Sequence, residues 1–204
     1  MKKHTSVIIG LALLLASATQ ASQQQLAKSI QDAHLETSRT IEQLKSTLGA
    51  LNELTAQKKG DLRPAYDAFC AQIPKTEAVA AQTRNRVRWM AGDGRKYFKD
   101  WQDTINGIAD ESLRKKAEKR MHAVKASYEK VEVSLVQTGD KFRPFLSDLT
   151  DIKKALSTDV TAGGVKSIKS NARSANWNLQ YVDKAAKAAL KEMDKMQKAL
   201  SSKA

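Results

Sequence analysis

Little in this chain would stop a helix. Three prolines and nine glycines are spread over 204 residues, aromatic residues make up 5% and cysteine occurs once. Sandwiches, barrels and alternating α/β folds need frequent turns and strands rich in β-branched or aromatic side chains, so this scarcity argues against all three. A lone cysteine rules out an internal disulfide and a zinc site built on cysteine pairs. Phosphate-cradling glycine loops and nucleophile elbows are also missing. What is abundant is charge, 28% of residues, together with Ala, Lys, Leu, Glu and Gln. That mixture belongs to long amphipathic helices.

The first 21 residues read as a secretory signal: Lys2 and Lys3, an apolar run from Val7 to Leu15, then small residues ending at Ala18 or Ala21. Cleavage is expected after Ala21, so that 1–21 is the leader and 22–204 a single helical domain. The alternative, a membrane anchor, fails on length, because crossing a bilayer takes ~20 apolar residues. Lipid attachment would require a cysteine just after the run, and the only cysteine is Cys70. A periplasmic or secreted protein with no transmembrane segment in its mature chain is therefore expected. Cys70, beside Phe69 and near Ile73, reads as a small buried hydrophobe; its alternative is a disulfide to another chain.

Lysine and arginine number 35 against 22 acidic residues, a net charge of +13. Losing the leader removes Lys2 and Lys3 and no acid, leaving 33 against 22, or +11. Such a field bears on association with anionic partners rather than on fold.

Apolar spacing carries the architecture. Val165, Ile168, Ala172, Ala175, Leu179, Val182, Ala186, Ala189, Met193, Met196 and Leu200 alternate steps of three and four, which buries one narrow stripe of a helix. A second series runs Val124, Tyr128, Val131, Leu135, Thr138, Phe142, Phe145, Leu149, Ile152 and Leu156, and continues upstream through Met121, Ala117 and Leu113. Pro144 lies inside it without disturbing the register, which predicts one bent helix. Upstream of these, Leu26, Ile30, Ala33, Thr37, Ile41, Leu44, Leu48 and Leu51 form a third series ending near Lys58, Lys59 and Gly60. Asp61 is placed to cap the next helix, with Pro64 in its first turn. That helix shows Leu62, Tyr66, Phe69 and Ile73, a disturbance at Pro74, and then Val79, Thr83, Met90, Gly94, Tyr97, Trp101 and Ile105. Asp110 opens the following helix, and Asp159 or Thr161 caps the last.

The chain is thus predicted to be all-α, an elongated antiparallel bundle or coiled coil of about four long helices near 23–58, 62–105, 110–157 and 164–200. Short connections make consecutive helices antiparallel neighbours.

Catalytic groups are sparse. Past the leader only His34 and His122 remain, and Glu118 with His122 offers two ligands on one helix face without a matching second pair. No metal, cofactor or catalytic residue is expected. Gly92 and Gly94, inside a helical pattern, read as close-packing or flexible positions.

Basic residues have more pattern. Arg84, Arg86, Arg88, Arg95, Lys96 and Lys99 load the second helix, and Arg114, Lys115, Lys116, Lys119, Arg120 and Lys125 the third. Lys184, Lys187, Lys191, Lys195 and Lys198 repeat along the last helix. These groups could meet lipid or lipopolysaccharide phosphates or an acidic protein; their alternative is an ordinary solvated face. Trp89, Phe98, Trp177 and Tyr181 fall off the strict seam. Flanking aromatics widen the core of a bundle, but Trp177 and Tyr181, four apart, become partner anchors if they are exposed.

The stretch Met90, Gly94, Tyr97-Phe98, Trp101, then Ser112-Leu113-Arg114, then Phe142-Arg143-Pro144-Phe145-Leu146-Ser147-Asp148-Leu149 and Asp159-Val160-Thr161 resembles the bacterial family called domain of unknown function 2959. The resemblance spans about residues 25 to 197. It implies helical envelope proteins, secreted or lipid-anchored, and brings no activity or site residue with it. Members with a lipid-attachment cysteine differ from this chain.

The functional expectation is a non-enzymatic periplasmic module that binds or scaffolds through its basic surfaces. Its partner would be an envelope protein or an anionic envelope component. A holdase-like chaperone for unfolded clients is the alternative, and an enzyme ranks last. Secretion takes the chain away from nucleic acid. A homo-oligomer stays open, since surplus apolar stripe can be covered within one chain or between copies.

Overall fold

The computed structural model describes the backbone of residues 4–201 and the side chains of residues 17–201. Of the predicted leader, the side chains of residues 1–16 lie outside the described set. Among the described residues every regular element is a helix: α1 His4–Ala56, α2 Arg63–Asn106, α3 Glu111–Leu156, α4 Ala162–Ser167 and α5 Lys169–Ser201.

The ends of these helices follow from local chemistry. Gly60 takes φ 91°, a left-handed conformation suited to the reversal after α1. Asp61 Oδ1 accepts the Arg63 amide at 2.9 Å, and Asp110 Oδ1 accepts the Leu113 amide at 2.8 Å. Both occupy amides that the first turn of a helix leaves open. The last predicted helix is instead two elements. Thr161 caps α4 by accepting the Gly164 amide, and Ile168 between α4 and α5 leaves the α conformation at φ −92°, ψ 3°. The three-four seam runs on through Ile168, which is why its spacing hides the break.

Neither internal proline divides a helix. Pro144 sits within α3 as expected, and α2 is one element across Pro74. Both prolines are exposed, so the missing amide falls on the solvent side, where water can substitute. Beyond Pro74 the buried line passes through Thr76 and Ala80 rather than the predicted Val79. Leu113 also departs from expectation: it is 58% exposed.

The chain forms two compact units, each built from stretches of several helices: Met1–His34 with Asn85–Glu132 and Lys191–Ala204, and Leu35–Arg84 with Val133–Leu190. In the second unit Leu44, Leu51, Phe69, Phe145, Leu149 and Leu156 share one apolar core with Val165, Ala172 and Ala175. Burying each large side chain contributes roughly 1.5–3 kcal/mol. The Thr47 and Thr76 hydroxyls, both buried, meet at 2.7 Å, and Thr40 meets Thr83 at 2.8 Å. Seven residues forward on α1 match seven back on α2, so these segments run antiparallel. Tyr66 donates to the Lys153 carbonyl at 3.0 Å. Burial, with Cys70 beside it, pushes its phenol up to about 12. Cys70 itself is half-buried against the core.

In the first unit the buried side chains include Leu26, Ile30 and Ala33, Met90, Tyr97, Phe98 and Ile105, Met121, Tyr128 and Val131, and Met193 and Met196. Tyr97 lies 5.1 Å from Phe98 and 5.4 Å from Trp101 between ring centroids, and Phe98 lies 5.6 Å from Tyr128. Tyr128 donates to the Met90 carbonyl at 3.0 Å, passing over Gly94. A Cβ at Gly94 would stand 2.5 Å from the Tyr128 hydroxyl and as close to its ring. Gly94 is therefore a close-packing position, whereas a Cβ at Gly92 would meet only the tip of Arg95 at 4.0 Å. Phe98 completes the core; Trp89, Trp177 and Tyr181 do not.

Gly94→Ala should cost about 1–3 kcal/mol through overpacking, read as a lower urea midpoint, while Gly92→Ala leaves the midpoint unchanged or raised. Burial pushes the Tyr97 phenol from 10.0 up to about 12. A raised folded value means the contribution is fully present below pH 10 and lost as pH climbs through 12. Circular dichroism across that window should show stability falling, and Tyr97→Phe should shallow the fall.

Candidate functional site

Charge is not concentrated in one unit. Over the described residues each unit carries 16 lysines and arginines against 11 acidic residues. What differs is which cations are already engaged. Of the α2 and α3 clusters, all but Arg84 belong to the first unit. There Lys96 pairs with Asp100 at 2.7 Å, Lys99 with Asp103 at 2.7 Å, Lys115 with Glu111 at 2.9 Å and Arg114 with Glu118 at 3.9 Å. Arg86 reaches Asp32 on α1 at 3.3 Å and lies 5.0 Å over the ring of Trp89. Arg88, Arg95, Lys116, Lys119 and Lys125 make no ion pair among the described residues, and Arg84 in the other unit makes none either.

Trp89, 58% exposed, borders a groove of about 380 Å³ with Lys28, Asp32, Arg86, Arg88 and Asp93. Asp32 holds Lys28 as well as Arg86, and Asp93 accepts from Ser29 and Gln25. The carboxylates there are committed to neighbours. His122 is exposed and stands away from any metal-ligating group of three or more among the described residues. His34 sits 3.4 Å from Asp194.

The α5 helix presents a different arrangement. Trp177 is 60% and Tyr181 56% exposed, one turn apart on the same face, so the core reading fails for both. On that face Arg173 precedes Trp177 by four residues and Lys184 follows Tyr181 by three, and neither cation has an ion pair among the described residues. Arg173 is legible in the spacing, four residues before Trp177, although the lysine ladder begins only at Lys184.

The ladder itself is partly spent. Lys187 binds Asp183 at 2.6 Å and Lys195 binds Glu192 at 2.6 Å, leaving Lys184, Lys191 and Lys198 without ion pairs among the described residues. Asp183 also receives Lys45 of α1 at 3.2 Å. Burial pushes its carboxyl up, but Lys187 and Lys45 outweigh that and hold it below the usual range. The only acid of α5 before Lys191 is thereby neutralised from both sides.

Beside Trp177 lies a shallow notch of about 300 Å³ between α1 and α5, lined by Asn52, Thr55, Lys169, Ala172, Arg173 and Asn176. The Asn52 and Asn176 amides exchange hydrogen bonds at 3.3 and 3.0 Å. Behind the helix, Asp148 accepts from Ser174 at 2.9 Å and Asn178 at 2.7 Å, holding α5 to α3.

Asp183→Asn should lower stability at neutral pH by about 0.5–1 kcal/mol, since both lysines are largely solvent-exposed and screened. A depressed carboxyl contributes above its unfolded value of 3.8 and loses that contribution as pH falls through the lower folded value. The gap between parent and variant in urea unfolding should therefore close under acid.

No curated protein matches the chain. The family model described as "Protein of unknown function (DUF2959)" matches residues 17–200, nearly all of the described chain. On that match, the protein belongs to the DUF2959 family.

Proposed function

We propose that this is a non-enzymatic protein of the bacterial envelope, an antiparallel helical bundle that binds or scaffolds through its basic surfaces. The observation that carries this reading is the surplus of exposed cations that make no ion pair among the described residues, including Arg88, Arg95, Lys116, Lys119 and Lys125 in one unit and Lys169, Arg173 and Lys184 in the other. Surplus charge of one sign on rigid helices favours association with an anionic component or an acidic protein face and makes that association salt-dependent. No helix among the described residues is long and apolar enough to cross a membrane. The leader reading supplies the compartment.

Two measurements test this. Intact-mass analysis of the protein recovered from cells should give a chain starting at Ser22; one that keeps Met1 would remove the envelope from the proposal. Photocrosslinking in intact cells, with the reactive group beside Lys116 in one preparation and beside Trp177 in another, should capture an envelope component at low salt. Capture should fade at high salt and in a variant carrying Lys116→Glu, Lys119→Glu, Lys184→Glu and Lys191→Glu. Equal capture by parent and variant would overturn the role of the basic surfaces.

A further inference from the structure

The exposed face of α5 in the second unit combines three features that occur together nowhere else among the described residues. Two large aromatics, Trp177 and Tyr181, stand in solvent one turn apart. A polar notch with Lys169 and Arg173 on its rim opens one turn before Trp177. The local acid, Asp183, is held by Lys187 and Lys45, so no free carboxylate opposes an incoming anion from that stretch of helix. We infer that this face seats on an anionic phospholipid surface, with a headgroup phosphate in the Lys169–Arg173 notch and the Trp177 and Tyr181 rings at the acyl boundary. This deepens the proposed reading and rests on it, naming both surface and ligand.

The chemistry favours a lipid surface over a protein groove. Indole and phenol rings are amphipathic and settle where an apolar phase meets water, the ring body in the former and the N–H or O–H in the latter. Lysine and arginine beside them reach outward to phosphates while their aliphatic stems cover apolar surface. Asn52 keeps one amide N–H beyond its bond to Asn176, a donor suited to a phosphate oxygen that two cations have already drawn in, whereas Asn176 spends both of its donors on Asn52 and the Ala172 carbonyl. The Trp89 groove lacks this pattern, because Asp32 and Asp93 line it and Arg86 is already bound to Asp32.

Cosedimentation of the full chain with vesicles tests the assignment, using equal parts phosphatidylglycerol and phosphatidylcholine against phosphatidylcholine alone. The mixed vesicles should bind the protein and release it as salt rises. Lys169→Glu with Arg173→Glu should weaken binding about tenfold or more, from a contribution of ~1 kcal/mol per cation near the surface. The charge-matched control Lys75→Glu with Lys141→Glu, on exposed sites of other helices in the same unit, should stay within about twofold of the parent, because the surface potential falls off within a Debye length. Bromine on the acyl chains should quench tryptophan emission in the parent, and Trp177→Phe should lose most of that quenching. Circular dichroism confirms that each variant is folded before it is compared.

Equal binding to phosphatidylcholine alone, equal loss in both charge variants, or unchanged quenching in Trp177→Phe would each overturn the assignment. Absence of vesicle binding, with an envelope protein still captured by crosslinking, would overturn the lipid surface while leaving the broader reading in place.

Discussion

A line of buried and half-buried residues that advances by steps of three and four along each long helix is the constraint from which the rest of this structure follows. In α2 the line from Tyr66 through Phe69, Thr76, Ala80 and Met90 to Ile105 leaves little room for a free polar group. Where it includes threonine, the hydroxyl must find a partner inside, because an unpaired one costs on the order of 1–3 kcal/mol. Thr76 finds Thr47 across the interface. Such a pair also holds the two helices in register, since a slip of one residue would separate the hydroxyls. The same demand for close approach explains Gly94, whose missing side chain makes room for the Tyr128 ring.

With the inner face taken by the seam, nearly all charge is turned outward, and most of the ion pairs it makes are local. Pairs such as Lys96–Asp100 and Lys115–Glu111 join residues one turn apart on a single helix and contribute little to fold. Those that tie different helices are fewer: Asp32 with Arg86, Lys45 with Asp183, and His34 with Asp194. With these acids engaged, the basic excess falls to cations that make no ion pair among the described residues, such as Lys116 and Lys184. Free positive charge on this protein is therefore a remainder. It depends on which carboxylates are already committed as much as on where lysines are placed.

Much of the architecture was legible because a three-four apolar rhythm has one physical solution, an amphipathic helix with a continuous inner stripe. The lines through Leu26–Leu51, Tyr128–Leu156 and Val165–Leu200 are buried almost as the spacing predicts. Departures occur where the rhythm is ambiguous. Ala80 replaces Val79 because burial follows helical phase rather than side-chain size, and Leu113, near the start of α3, has the phase of the seam but stands in solvent. Ile168 shows the opposite case: it keeps its place in the rhythm while the backbone around it breaks.

The order of residues alone determined the helical class, the turn positions at Gly60, Asp61 and Asp110, and the sign of the charge, since all three follow from local spacing and composition. It did not determine which side chains would be free. Trp177 and Tyr181 sit beside the seam in sequence, and whether they join the core depends on how wide a stripe the neighbouring helices cover. Lys187 and Lys184 look alike in the ladder, yet Asp183 engages one and leaves the other. Only tertiary structure decides such matters, because exposure and pairing depend on groups brought together from distant parts of the chain, such as Lys45 beside Asp183 or Asn52 beside Asn176.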